Sequence, residues 1–286
     1  MTDFQHTPVL LDEVMTQLNP VAGGVYADVT LGGAGHARAI LERSAPDGRL
    51  IGTDRDPSAL EAAESALREF GDRATVRKAR IRDLRDVLDT LEIDRIDGVL
   101  ADLGVSSVQL DRAERGFSLA KDGPIDMRMD PTEGETAIEL IARLEAAELA
   151  DVIYQYGEER YSRRIARRIV EQRSTAPVQS ASQLAQLVRR CVPRSRNHQL
   201  DPATRTFQAL RIAVNQELSQ LEIALRRLPD CLLPGGRIAI ISFHSLEDRL
   251  VKNAFREDAR LTILNRKPIR ATPSEIACNP RSRSAK

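Results

Sequence analysis

The chain has 286 residues, 42% of them hydrophobic and 29% charged, with 42 basic side chains balancing 42 acidic ones, a profile expected of a soluble globular chain with one large or two unequal domains. The start, M-T-D-F-Q-H, has neither the basic nor the apolar region of a signal peptide, and no apolar run approaches the ~20 residues of a membrane helix. Cys191, Cys231 and Cys278 are far apart and form no C-x-x-C, which argues against a disulfide framework and a zinc site and for a reducing cytoplasm.

In chain order, H-T-P-V-L-L-D-E-V (His6 to Val14) predicts a short helix entered through Pro8. Residues 25 to 29 predict a first strand, and the stretch Y-A-D-V-T-L-G-G-A-G-H (Tyr26 to His36) carries it into a glycine-rich turn before a helix at 37 to 43. Backbone N–H groups at such a helix start favour an anionic group, and Gly32, Gly33 and Gly35 allow close backbone approach. The dinucleotide fingerprint G-x-G-x-x-G fits poorly, because Arg38 stands where the third glycine belongs. Asp28, just before the turn, suits S-adenosylmethionine (SAM) better, since its carboxylate can face the cationic amino acid end of that cofactor. A tight turn with no ligand is the plain alternative.

A second strand, 49 to 54, ends at Asp54, roughly twenty residues beyond the turn, where a carboxylate can accept both ribose hydroxyls of a nucleoside. Asp56-Pro57 can cap a helix at 57 to 70 independently of Asp54. Strands at 74 to 79 and 96 to 102 follow, the latter ending at Asp102. Strands and helices alternating at this spacing predict a parallel α/β sheet with its crevice at the strand carboxyl ends, so Asp28, Asp54, Ile81 and Asp102 converge.

Alternation then stops. Residues 103 to 130 predict a long loop, functional or disordered, followed by helices at about 136 to 155, 158 to 173 and 180 to 191. From Arg160 to Arg211 there are twelve arginines against two acids, Glu171 and Asp201, a net of +10 in a chain of net zero. Arg160, Arg163, Arg164, Arg167 and Arg168 share one helical arc, opposite Tyr161, Ile165 and Ile169. A solvated face is the ordinary explanation, but such faces mix signs, and segregated charge suggests a polyanionic partner. Asp201-Pro202 predicts the cap of one long helix carrying Phe207, Leu210, Val214, Leu218, Leu221 and Leu225, and residues 232 to 242 predict a turn and a buried strand. The expected organisation is a discontinuous domain, 1–110 with 200–286, interrupted by a helical domain at 111–199.

These blocks carry a resemblance. H-T-P-V-L-L-D-E (6 to 13), G-G-A-G-H (32 to 36), T-D-R-D-P (53 to 57), D-L-G-V-S-S-V-Q-L-D (102 to 111), E-R-G-F-S (114 to 118), D-M-R-M-D-P (126 to 131), Y-G-E-E-R (156 to 160), T-R-T-F-Q-A-L-R-I (204 to 212), S-F-H-S-L-E-D-R (242 to 249) and N-P-R-S-R-S (279 to 284) stand in order along nearly the whole chain. Together they resemble the bacterial small-subunit ribosomal RNA cytosine-N4 methyltransferases (the RsmH/MraW family).

The resemblance implies a Rossmann-like SAM-dependent methyltransferase sheet with an inserted all-helical domain, acting on a cytidine of 16S ribosomal RNA. It implies SAM contacts at Gly33, Ala34, Gly35, His36, Asp54, Ile81, Asp102 and Gln109. It further implies small-subunit RNA or the assembled small subunit as partner, no membrane and no metal, with a homodimer left open. Ala34 stands for a glycine, Ile81 for a residue often aromatic, and Val108 for a proline before Gln109. Asp102 begins D-L-G-V where many amino methyltransferases carry D-P-P-Y, and is the candidate for orienting the target amine. His244 is a second pocket candidate or a structural histidine. A nicotinamide oxidoreductase would leave the arginines unexplained, and a non-catalytic RNA binder would leave the convergent strand ends unexplained.

Overall fold

A computed structural model describes residues 8–193 and 201–286; His6 and Thr7 of the first block, and Arg194 and Arg196 of the basic segment, lie outside them. The elements are α1 (Leu11–Leu18), β1 (Val25–Asp28), α2 (Gly35–Arg43), β2 (Arg49–Asp54), α3 (Pro57–Leu67), β3 (Ala74–Lys78), α4 (Leu84–Thr90), β4 (Ile96–Asp102), α5 (Ser107–Asp111), α6 (Ala137–Arg143), α7 (Ala146–Gly157), α8 (Ser162–Thr175), α9 (Ala181–Cys191), α10 (Thr204–Asn215), α11 (Glu217–Arg227), β5 (Leu232–Ile241), α12 (Ser245–Glu257) and α13 (Pro273–Cys278). The chain divides into two compact units, Met1–Gly104 with Leu218–Lys286, and Val105–Glu217.

In the first unit the five strands form one parallel sheet in the order β3-β2-β1-β4-β5. Parallel strands need crossover connections, and helices on the sheet faces supply them, so strand side chains on both faces are apolar. Tyr26, Leu50 and Leu100 pack on one face with Met15, Ile40 and Leu41. Ala27, Ile51, Val99 and Ala101 pack on the other with Leu84, Leu88, Leu221 and Leu225. The register puts Asp28 of β1 beside Gly52 of β2 and Leu100 of β4. The three acids Asp28, Asp54 and Asp102 therefore leave the sheet at its carboxyl end, and Ile81 follows the end of β3 on the same side, where α/β folds bind ligands. Asp56 caps α3, accepting from Ser58 N–H at 3.0 Å ahead of Pro57, while Asp54 is used elsewhere, so the two acids do divide their jobs.

The second unit is helical around a core of its own that includes Leu149, Ile153, Ile165, Ile169, Leu184, Val188, Phe207 and Leu210. Three expectations are corrected here. The long helix after Asp201 breaks at Gln216, which is left-handed at φ 54°; Phe207 and Leu210 on α10 enter the helical core, whereas Leu221 and Leu225 on α11 enter the sheet core. The unit boundaries consequently fall after Gly104 and Glu217, and α10 belongs to the helical unit and not, as expected from residue 200 onward, to the sheet. Asp201 stands two residues ahead of the cap position, which Ala203 occupies; its carboxylate accepts from Ala203 N–H at 2.9 Å and also forms a forked pair with Arg189.

The segment 136 to 155 is two helices, because Leu144 is extended and Glu145 with Glu148 forms a fresh capping box for α7. Residues 103 to 130 are packed. Ile125, Met127 and Met129 are buried, Asn215 receives Met129 N–H at 2.8 Å and donates to Met127 carbonyl at 2.7 Å, and Arg115 donates to the carbonyls of Arg128 and Met129. The first helix starts at Leu11, later than expected, because Leu10 adopts a left-handed conformation before it.

Candidate active site

The glycine turn is built by three specific contacts. Leu31 N–H donates to Thr53 carbonyl, Gly32 N–H donates to Asp54 Oδ2 at 2.9 Å, and Ala34 N–H closes the turn on Leu31 carbonyl at 2.7 Å. Ala34 has φ 62°, a left-handed conformation that costs an L-residue with a Cβ roughly 1 to 2 kcal/mol, which is why glycine suits this position. At Gly35, an added Cβ would lie 2.3 Å from Pro8 Cγ. The glycine there admits the protein's own Pro8, and close ligand approach is not what requires it.

Pro8 and Val9, drawn over α2 in this way, set the orientation of His36. The imidazole is 5% exposed, with Nε2 2.9 Å from Val9 carbonyl and Nδ1 3.8 Å from Asp102 Oδ2. A carbonyl only accepts, so Nε2 carries the ring hydrogen. Gly33, by contrast, is exposed at the tip of the turn.

Three carboxylates meet at the strand ends. Asp28 is 2% exposed and accepts from Thr30 N–H at 3.1 Å; burial, followed in effect by the Asp54 charge, pushes its pKa up to about 7. Asp54 accepts from Gly32 N–H and, at 2.9 Å, from Asp56 N–H; burial raises its pKa despite these donors. Asp102 has its N–H on Thr30 Oγ1 at 2.6 Å, so Thr30 bridges the ends of β1 and β4. Its Oδ1 is buried without a hydrogen bond among the described residues. Burial first, then the negative charges of Asp28 and Glu247, drive its pKa well above the ordinary carboxylate range.

No basic side chain is among the described groups that shift the titration of these three acids. A ligand bearing positive charge would let Asp28, Asp54 and Asp102 ionise and would relieve their mutual repulsion. SAM carries both an ammonium and a sulfonium, and so fits the donor set that the sheet presents.

Ile81 opens a short 3-10 turn after β3 and is half-buried against the Leu84 and Leu88 face of the core, beside the end of β2, where Ala79 N–H reaches Asp54 carbonyl. Gln109 belongs to the helical unit, where it is 4% exposed and its side-chain carbonyl closes a capping box with Ser106 N–H at 3.0 Å. His244 is the cap of α12: Nδ1 accepts from Glu247 N–H, and Nε2 lies 3.1 Å from Glu247 Oε1. That favours the structural role for His244. Sequence reasoning missed Thr30 and Glu247, although Thr30 stands within the stretch Tyr26 to His36. Glu247 sits three residues past His244 inside S-F-H-S-L-E-D-R, and the capping-box spacing was the signal that could have found it.

The arginine stripe lies in the helical unit. Ile165, Ala166 and Ile169 face its core, while Arg163, Arg164, Arg167 and Arg168 of α8 are exposed; Arg160 is exposed too but lies in the turn before α8, which starts at Ser162 and not, as expected, at 158. Arg160 stacks over the Tyr161 ring at 4.7 Å, and Arg168 pairs with Glu171 at 3.3 Å. Arg163, Arg164 and Arg167 form no ion pair with any described residue. Other arginines of the +10 segment are spent internally: Arg173 on the carbonyls of Ile141 and Leu144, Arg189 on Asp201, and Arg211 on Glu217.

Among the described residues no helix is long and apolar enough to cross a membrane, and no cluster of His, Cys, Asp and Glu is placed to hold a metal. The ribosomal RNA small subunit methyltransferase H of Syntrophus aciditrophicus is 51% identical over 300 residues, covering 98% of this chain and 95% of that protein. The same-named protein of a Cyanothece species is 52% identical over 284 residues, covering 99% and 93%, and that of Trichlorobacter lovleyi is 50% identical over 305 residues, covering 100% and 97%. The description that matches residues 3–286 is the MraW methylase family. A glycine turn and acid-lined crevice on a parallel sheet, with likeness of this extent along the whole chain, place the chain in one family: it belongs to the MraW methylases.

Proposed function

We propose that the chain methylates the N4 amine of a cytidine in small-subunit (16S) ribosomal RNA, with SAM as the methyl donor. The observation that carries the reading is the convergence of Asp28, Asp54 and Asp102 on one crevice beside the glycine turn, in a chain of the MraW methylase family. When bound, SAM supplies an electrophilic sulfonium methyl, a good leaving group already in place. The residues do the rest. Gly33, Ala34, Gly35 and His36 shape the floor, Asp28 faces the cationic amino acid end, Asp54 takes the ribose hydroxyls, and Ile81 covers the adenine by apolar contact. Asp102 orients the target amine, whose lone pair is delocalised into the ring and needs in-line placement. The helical unit supplies RNA affinity through Arg160, Arg163, Arg164, Arg167 and Arg168. RNA of this kind places the chain's work in the cytoplasm.

The direct test is nucleoside mapping. Small-subunit RNA from cells lacking the protein should lack one N4-methylated cytidine that returns with the wild-type chain; an unchanged methylation pattern would remove the reading. The cofactor assignment is tested at Asp54. Asp54→Ala is expected to weaken SAM binding by on the order of 1.5 to 3 kcal/mol, the range for hydrogen bonds to a charged group. Because Asp54 also holds Gly32 and Asp56 N–H groups, calorimetric titration is paired with a melting curve. Full SAM affinity in the folded variant would show that Asp54 serves only the turn.

A further inference from the structure

We infer that His36 and Asp102 form a pair that takes up the proton leaving the target amine, with His36 as the positioning residue that holds the proton behind Asp102. The inference rests on the methyltransferase reading above and adds a destination for the proton, which that reading leaves unassigned.

Its basis is the tautomer and the direction of the ring. Val9 carbonyl fixes the hydrogen on Nε2, so in the neutral ring Nδ1 bears the lone pair, and this is the nitrogen turned toward Asp102 Oδ2 at 3.8 Å. That separation exceeds a hydrogen bond by about 1 Å, the looseness that catalytic pairs show before substrate draws them together. Val9 cannot easily shift, since Pro8 is packed into the space left by the missing Gly35 side chain. Asp102 has two different oxygens: Oδ1 is buried without a hydrogen bond among the described residues, and Oδ2 faces His36. Its side chain remains 20% exposed, against 6% for that of His36, so an incoming amine can meet the carboxylate but not the imidazole.

The charged surroundings explain why a second group is useful. Asp102 is faced by Asp28 from β1, with Asp54 of β2 beyond it, and by Glu247 from α12, whose own neighbour is His244. Asp28 and Glu247 disfavour negative charge on Asp102, and a neutral imidazole is the facing group able to share an added proton without adding to that charge. In the step itself, the N4 lone pair forms the N–C bond to the methyl group as the S–C bond breaks, with its electron pair going to sulfur. The methylated nitrogen then loses one proton, the N–H electrons staying on nitrogen and the proton forming an O–H bond on Asp102. His36 Nδ1 shares or takes that proton as an imidazolium beside the carboxylate, until it leaves through the exposed edge of Asp102.

Two measurements test the pair. In the full-length chain with ¹⁵N-labelled histidine, His36 should show the Nε2–H tautomer, and Asp102→Asn should lower its titration midpoint by on the order of one pH unit, because the partner charge is gone. His36→Gln can keep a donor on Val9 carbonyl while removing Nδ1. With it the maximal methylation rate should fall on the order of 10²-fold, well beyond any loss of SAM affinity that follows from the place of His36 in the floor of the site. The acidic limb of its pH–rate profile should move to lower pH, since an acceptor that stabilises the protonated carboxyl has been removed. A His36 midpoint indifferent to Asp102→Asn overturns the pairing, as does a His36→Gln variant that alters SAM affinity alone and leaves the limb in place. The titration needs no RNA, so it decides the pairing even if His36→Gln fails to fold. Failure of the parent to methylate RNA would instead overturn the functional reading.

Discussion

Asp102→Asn should lower the maximal rate of RNA methylation by on the order of 10²- to 10⁴-fold, the range for loss of a positioned general base, while SAM affinity falls far less. Asparagine keeps the shape and one acceptor oxygen but cannot take a proton. The fold should tolerate it well. The Asp102 N–H that holds Thr30 is unaffected, and a neutral amide removes a carboxylate whose ionisation is opposed by burial and by the charges of Asp28 and Glu247. The melting temperature should therefore hold or rise. Single-turnover methylation beside calorimetric SAM titration separates the outcomes: equal losses in rate and affinity would make Asp102 a cofactor ligand only.

The joint replacement of Arg163, Arg164 and Arg167 by glutamine should weaken RNA binding strongly and leave SAM binding unchanged. These three are the stripe arginines that are exposed and free of ion pairs with described residues, whereas Arg168 is shared with Glu171 and Arg160 stacks on Tyr161. Each arginine on a phosphate releases counterions, so the logarithm of the binding constant falls against the logarithm of salt by about 0.7 to 0.9 per contact, depending on the form of the RNA. Removing three contacts should flatten that slope by roughly two to three units. Glutamine has similar helix propensity, and the apolar face of α8 formed by Ile165, Ala166 and Ile169 is untouched, so stability should change by no more than about 0.5 kcal/mol. A merely solvated face predicts no change in slope. Parental binding and methylation at physiological salt would move the RNA contacts elsewhere, to residues 103 to 130 or to the basic segment from Arg266 onward.

The sheet was legible because its signals are local. A parallel strand buried on both faces is a short apolar run that ends where its sequence turns polar or meets a glycine turn, so β1, β2 and β4 follow the pattern closely; β5 departs from the expected turn and buried strand, because pairing continues through its Pro-Gly-Gly stretch and only Leu232 and Ile241 are buried. The acids at the ends were legible for the same reason: chain position alone puts Asp28, Asp54 and Asp102 at the carboxyl ends of adjacent parallel strands. The helical unit was less legible. The apolar spacing from Phe207 to Leu225 has helical periodicity throughout, and nothing local reveals that the chain turns at Gln216 and sends its two halves into different cores. Residues 103 to 130 read as loop because they lack periodicity, yet Met127 and Met129 are held by Asn215, far along the chain.

By itself, then, the sequence determined the fold class, the family and the acids that line the crevice, since each is written in residue type and in order along the chain. Only the tertiary structure decided what each group touches. It assigned Gly35 to Pro8, gave Asp54 the turn to hold, made His244 a helix cap, and set Glu247 and Thr30 against the catalytic candidates. It also divided the arginines into those that satisfy carbonyls and carboxylates inside the helical unit and those left facing solvent. Net charge is additive along a sequence, but whether a charge is available to a partner depends on what packs beside it, and the tautomer of His36 is fixed by one carbonyl that no motif identifies.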